Sequence, residues 1–127
     1  MGSLYVPKGM LKMAALKFFG ESSMSGMSLA KEISRVTGGR WTPGPGSIYL
    51  VLGDLLKSGM IAELPKREGN VRRYIITAKG KDALAQMKRE AKEDVARQLA
   101  LLGIYATLAG CDDIGEQVTN AAKAIEK

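Results

Sequence analysis

Residues 39–52 read GRWTPGPGSIYLVL, and their two halves obey different rules. Three glycines (39, 44 and 46) and two prolines (43 and 45) precede Tyr49. They exclude a helix through the first half, since a helix interior loses about 1 kcal/mol to glycine and about 3 kcal/mol to proline. The second half starts a helix. Pro45 suits a first helical turn, where its fixed φ is already helical and its missing N–H would have had no partner. From there Ile48, Leu52, Leu55 and Leu56 recur at three- and four-residue steps until Gly59. The stretch therefore predicts an irregular approach leading into an amphipathic helix whose first turn is nearly bare. Gly44, Gly46 and Ser47 keep bulk away from a partner surface, and free N–H groups at the positive end of the helix dipole suit a phosphate.

The flanking sequence completes a small domain. Lys8 to Gly20 predicts a first helix with Leu11, Ala14, Ala15, Phe18 and Phe19 on one broad face. Ser25 or Gly26 opens a second helix, with Leu29, Ile33 and Val36 as its apolar stripe and Gly38-Gly39 as its stop. After Gly59, Met60 to Leu64 and Val71 to Thr77 are strand-like around the polar turn KREGN (66–70), which predicts a hairpin. The expected fold is mostly α with a small β-hairpin wing: a winged helix-turn-helix over residues 1–76.

From Thr77 onward the period is helical for about thirty residues. Thr77 can cap the first turn, although Gly80 stands where a capping box would place Glu or Gln. Leu84, Met87, Ala91, Val95, Leu99, Leu102 and Ala106 form a stripe that Leu101, Tyr105 and Leu108 widen towards Gly110. Asp112 or Asp113 is placed to cap a short terminal helix with Ile114, Val118, Ala121, Ala122 and Ile125 on its apolar face. One helix cannot bury such a stripe alone. Closed twofold pairing with a second copy would cover it, and packing back onto the winged domain is the competing arrangement. Residues 77–127 are thus expected to be a helical dimerisation region, with Leu84, Met87, Ala91, Val95, Leu99, Leu102 and Tyr105 at the homodimer contact.

Charge separates the two parts. Residues 1–76 carry eleven Lys/Arg against five Asp/Glu, whereas residues 77–127 carry eight of each, so the whole net charge of +6 lies in the first part. That asymmetry points to a polyanionic partner for the N-terminal module, with ordinary solubilising lysine as the alternative. Several other classes are excluded or disfavoured. Without histidine, Ser/His/Asp and Cys/His nucleophile arrangements and imidazole metal sites are unavailable. The glycine-rich GPGS lacks the Gly-Lys-Ser/Thr ending of a P-loop. Asp112, Asp113 and Glu116 read as helix-start carboxylates rather than metal ligands. No enzyme, metal or cofactor is expected. A single cysteine, no apolar run near the eighteen residues of a membrane span, and lysines 8, 12 and 17 in the first apolar stretch predict a cytoplasmic protein with no membrane partner.

A basic module with a bare-fronted third helix suits double-stranded DNA. A recognition helix presents its N-terminal residues to base edges in the major groove. The residues expected there are Arg40 before the helix, then Pro45, Gly46, Ser47, Tyr49, Leu50 and Lys57 along its start and outward face. Ser47 and Tyr49 can donate hydrogen bonds, and Leu50 can meet a thymine methyl. Asp54 is expected towards the back, paired with a lysine. In the wing, Lys66, Arg67, Arg72 and Arg73 beside Gly69 suit phosphates, with strand alternation sending Arg72 and Arg73 to opposite faces. Trp41 reads either as a packing anchor for the approach loop or as a DNA contact.

These residues also carry a resemblance. GGRWTPGPGSIYLVLGDLLKSGMI (38–61) resembles the signature of the PadR family of winged-helix transcriptional regulators, in which Trp-x-Pro-x-Pro-Gly-Ser-Ile-Tyr leads into the recognition helix. VRRYIITAKGKDAL (71–84) is similar to the family's second wing strand and the start of its long helix, and SMSGMSLAKEI (23–33) to its second-helix entry. The likeness covers about residues 8–90, and the short tail resembles the smaller subclass. The chain departs from the pattern at Ser25-Gly26-Met27, often His-Gly-Tyr, at Gly44, often Ser, and at Leu50, often Pro. The resemblance implies a dimeric operator-binding regulator, most often a repressor. A weakly and non-specifically binding interaction or architectural module is the alternative. Some relatives stack drugs on a tryptophan of the dimer helix, but the only tryptophan here is Trp41, so a small-molecule effector stays unidentified.

Overall fold

The computed structural model describes residues 6–65 and 69–126. Its elements in chain order are α1 (Met10–Glu21), α2 (Gly26–Val36), α3 (Pro45–Lys57), β1 (Ile61–Glu63), β2 (Tyr74–Ile76), α4 (Ala78–Leu108) and α5 (Asp112–Glu126). The chain forms two compact units that divide between Leu84 and Ala85, so the first turns of α4 belong with the winged part.

In the first unit α1 packs against α2, α3 and β2. The large side chains with the least exposure are Phe19, Leu16, Leu29, Ile33 and Leu55. Leu16 lay outside the face expected of the first helix; it is buried because α1 has neighbours on more than one side, which a single-face reading cannot anticipate. The helix also begins two residues later than expected, because Gly9 holds a left-handed φ of 84° at its N-cap. Of the two residues expected to open α2, Ser25 is the cap, its hydroxyl accepting from the Ser28 N–H at 3.1 Å, and Gly26 is the first helical residue. The α2 stripe is corrected at its end, where Leu29 and Ile33 are buried and Val36 is exposed. Likewise Ile48, Leu52 and Leu55 of α3 are buried while Leu56 is 39% exposed.

The two strands pair antiparallel with Ile61 opposite Ile76, Ala62 opposite Ile75 and Glu63 opposite Tyr74. Both strands are shorter than the sequence suggests. Tyr74 also pairs on the edge away from β1, where it exchanges backbone hydrogen bonds with Met24, 3.2 Å in one direction and 2.9 Å in the other, and so ties the second strand to the α1–α2 loop. Its ring lies 5.9 Å from that of Phe19.

Thr77 joins the hairpin to α4. Its hydroxyl accepts from the Gly80 N–H at 3.1 Å, as an N-cap should, and donates to the Gly59 carbonyl at 2.6 Å. Gly80 has no space for a side chain, since a Cβ there would stand 2.0 Å from the Met60 carbonyl oxygen. The missing glutamate of the capping box is therefore a steric requirement.

The second unit is a helical hairpin. α4 ends before Gly110, whose φ is 86°, and α5 returns along it. Asp112 and Asp113 sit inside the first turn of α5 rather than ahead of it, where their charge suits the helix dipole. The seam is made of small residues. A Cβ on Gly103 would meet Thr119 Oγ1 at 2.4 Å, and one on Gly115 would meet Thr107 Oγ1 at 2.3 Å. Thr107 and Thr119 each return their hydroxyl to the glycine carbonyl four residues earlier, at 3.1 and 2.9 Å. Ala96 and Ala122 are also buried. The apolar face expected of α5 is corrected accordingly: Ala122 is buried, but Ile114 is 56% exposed, and a close approach to α4 runs through Gly115 and Thr119.

Candidate nucleic-acid interface

α3 is positioned from behind by its buried Ile48, Leu52 and Leu55. On this side α2 comes very close, since a Cβ on Gly26 would lie 2.9 Å from Leu52 Cδ1 and 3.1 Å from Ile48 Cγ2. Asp54 adds a tie to α1 through Lys12, Nζ to Oδ2 3.5 Å, and so occupies the lysine-paired position expected of it.

The other side of α3 is open. Tyr49 is 80% and Leu50 76% exposed, an aromatic and a leucine held out from a helix whose Ile48, Leu52 and Leu55 are buried. Pro45, Gly46, Ser47 and Lys57 are exposed on the same element, and Arg40 is exposed ahead of it. Gly44 is the N-cap and supplies no side-chain bond to the first turn. The Gly46 and Ser47 amides thus keep the character the sequence suggests for anion contact.

The approach to α3 is held by hydrogen bonds that sequence reasoning did not find. The Thr37 hydroxyl lies 2.9 Å from the Ile33 carbonyl and 3.1 Å from the Trp41 carbonyl, and it accepts from the Trp41 N–H at 3.1 Å. Thr42 Oγ1 donates to Ser34 Oγ at 2.8 Å. The only available signal was Thr37 ahead of Gly38-Gly39, of which the two glycines alone were read, as a stop. Trp41 is half-buried and lines an open apolar cleft of about 330 Å³ with Met10, Met13, Phe18 and Val36. Nearby, Arg35 hydrogen-bonds Glu32, which holds the Glu32 carboxyl below its usual range, while the pairing raises Arg35.

In the wing the two described arginines diverge. Arg72 is exposed, and its Nε lies 3.4 Å from Glu63 Oε1 across the hairpin. Arg73 is half-buried and donates to the Ser23 carbonyl at 2.8 Å, which ties the wing to the α1–α2 loop. Lys66 and Arg67 lie outside the described residues. In α4, Leu84, Met87, Ala91 and Leu99 are half-buried, whereas Val95, Leu102 and Tyr105 are 46%, 54% and 69% exposed.

The model of the transcriptional regulator PadR-like family matches residues 15–86, more than half of the chain. The chain belongs to that family. Solved structures agree on the PadR-like fold. A transcriptional regulator from Clostridium thermocellum is 24% identical with a TM-score of 0.61, over 65% of this chain and 83% of its own. RosR of H. salinarum is 20% identical with a TM-score of 0.55, over 80% of this chain and 93% of its own. A PadR family transcription regulator from hypervirulent Clostridium difficile is 21% identical with a TM-score of 0.54, over 65% of this chain and 86% of its own. At such identities the likeness carries the fold alone. No curated protein sequence matches the chain. Family membership makes this PadR-like chain a DNA-binding regulator of transcription rather than an enzyme. Among its described residues no helix is long and apolar enough to cross a membrane.

Proposed function

We propose that the chain is a homodimeric, sequence-specific repressor acting in the cytoplasm, with α3 in the major groove and the wing on the flanking phosphates. The outward face of α3 carries this reading, because Tyr49 and Leu50 stand 80% and 76% exposed next to a bare first turn. Ser47 and Tyr49 offer donors to bases or phosphates, Leu50 an apolar contact, and Arg40, Lys57, Arg72 and Arg73 positive charge. Residues 1–76 form the DNA-binding module and residues 77–127 the dimerisation region. Pairing through Leu84, Met87, Ala91, Val95, Leu99, Leu102 and Tyr105 would place two copies of α3 in successive major grooves, about 34 Å apart.

The test is a fluorescence-anisotropy titration of a labelled duplex from immediately upstream of the protein's own gene and of a scrambled duplex, at two salt concentrations. If neither is preferred, selection from random DNA supplies the sequence to be titrated. A sequence-specific repressor should favour its operator by roughly 10³ or more, with the preference surviving the higher salt. Binding that is equal for every duplex and collapses with salt would instead favour an architectural role. Leu102→Lys, measured by sedimentation, should shift a dimer to monomer; an unchanged mass would sink the proposed pairing face.

A further inference from the structure

The turn between α2 and α3 cannot aim α3 by its own covalent preferences. Gly38 and Gly39 hold φ values of 63° and 77°, and glycine visits both signs of φ freely. The direction is fixed by hydrogen bonds that converge on Thr37. Its Oγ1 accepts the Trp41 N–H at 3.1 Å, and its single proton faces the carbonyls of Ile33, Trp41 and Ser34 at 2.9, 3.1 and 3.2 Å. The backbone closes around it through Gly39 N–H to the Ser34 carbonyl, 2.7 Å, and Arg40 N–H to the Thr37 carbonyl, 3.1 Å. Thr42 adds a second tie to Ser34.

Little slack separates Trp41 from α3. Thr42, Pro43 and Gly44 are the only residues between Trp41 and Pro45, where the helix begins. Pro43 is buried, and both prolines have a fixed φ. Wherever Trp41 is held, the start of α3 follows.

We propose that Thr37 is a positioning residue for sequence discrimination: by clamping Trp41 to the end of α2, its hydroxyl sets where the α3 N-terminus stands against the base edges. This rests on the reading of α3 as the base-contacting helix. Base hydrogen bonds require placement within about 0.5 Å, whereas long lysine and arginine side chains reach phosphates from many positions. Loss of the clamp should therefore reduce discrimination and leave phosphate affinity alone.

The experiment uses the full chain, wild type, Thr37→Val and Thr37→Ser. Each is titrated with the best duplex recovered by selection from random DNA and with its scrambled form, at two salt concentrations, alongside a thermal melt. Valine keeps the shape of threonine and leaves the Trp41 N–H without its acceptor; serine restores the hydroxyl. Thr37→Val should lose about tenfold in the ratio of selected to scrambled affinity, comparable to one base contact, with unchanged scrambled affinity and salt slope. Thr37→Ser should keep the wild-type ratio. If Thr37→Val does not fold, Ser34→Ala removes the Thr42 tie alone and should lower the same ratio. Full preference in Thr37→Val, or parallel loss on both duplexes, overturns the assignment. A wild-type chain without any preference overturns the base-reading role of α3 and this proposal with it, whereas preference kept by both wild type and Thr37→Val overturns the proposal alone.

Discussion

Replacing Gly80 by alanine would add one methyl group at the junction of the wing and α4. On an exposed helix this change stabilises by about 1 kcal/mol, because alanine is the better helix former. Here the new Cβ would stand 2.0 Å from the Met60 carbonyl oxygen, 2.7 Å from Ile76 Cγ1 and 3.0 Å from the Met60 carbonyl carbon. Two of those atoms are backbone, so relief requires α4 to move away by more than 1 Å, on the order of an ordinary carbon–oxygen contact distance less the distance available. Overpacking of this kind costs about 1–3 kcal/mol. The same movement stretches the Thr77 N–H bond to the Met60 carbonyl, 3.0 Å, and the Thr77 cap on Gly80, 3.1 Å, which adds about 1 kcal/mol. Subtracting the propensity gain leaves a loss of about 2 kcal/mol, or roughly 8–16 °C in the melting temperature of a small domain. Circular-dichroism melts of Gly80→Ala and Gly53→Ala make the comparison internal. Gly53 is also helical but has nothing within 4 Å of its would-be Cβ, so Gly53→Ala should gain stability. If both variants melt higher than wild type, the proposed close contact between α4 and Met60 is wrong.

Three further outcomes follow from the geometry. Gly103→Ala places a Cβ 2.4 Å from Thr119 Oγ1 and 3.0 Å from the Gly115 carbonyl oxygen, and should cost about 1–3 kcal/mol of stability, read as a lower urea midpoint; an unchanged midpoint would count against the seam. Arg72→Ala should weaken binding to every duplex and reduce the salt slope by about one with little effect on the melt, whereas Arg73→Ala, which removes the bond to the Ser23 carbonyl, should also lower the melting temperature; identical melts for the two would refute the division of roles. The Glu32 carboxyl, followed by NMR, should titrate below the usual carboxylate range because Arg35 hydrogen-bonds it, and Arg35→Ala should return it upward. Because the folded-state value is depressed, the pair's contribution is present above the unfolded value and is lost as pH falls through the folded one. Both groups are at the surface, so the pair should affect overall stability little.

What the sequence made legible was local. Pro45 and the glycines around it marked the start of α3, Ser25 and Thr77 marked their caps, and Gly38-Gly39 marked the end of α2, because each depends on the backbone chemistry of a few adjacent residues. Features that depend on distant neighbours were harder to read. Tyr74 pairs with Met24 on the edge away from the hairpin, and Arg73 turns inward because Ser23 lies beside it, pairings across about fifty residues that no period encodes. Periodicity gave the face of α1 but not the neighbour that buries Leu16. It also favoured large side chains as the contact surface of the last two helices, although the buried Gly103 and Gly115 bring the two backbones close. Two glycines inside otherwise helical stretches were the available signal, since each costs a helix about 1 kcal/mol unless something else requires it.

That glycine–threonine seam bears on how the protein responds to its own abundance. A joint of glycine, threonine and alanine removes little apolar surface from water, while Leu101, Leu102, Ile104, Tyr105, Leu108 and Ile114 all remain exposed in the single chain. On the dimeric reading, much of the second unit's stability would then be supplied by association, and association depends on the square of the chain concentration. A hairpin stitched so lightly would make occupancy of an operator rise more steeply than in proportion to the amount of protein made, giving a threshold without any ligand.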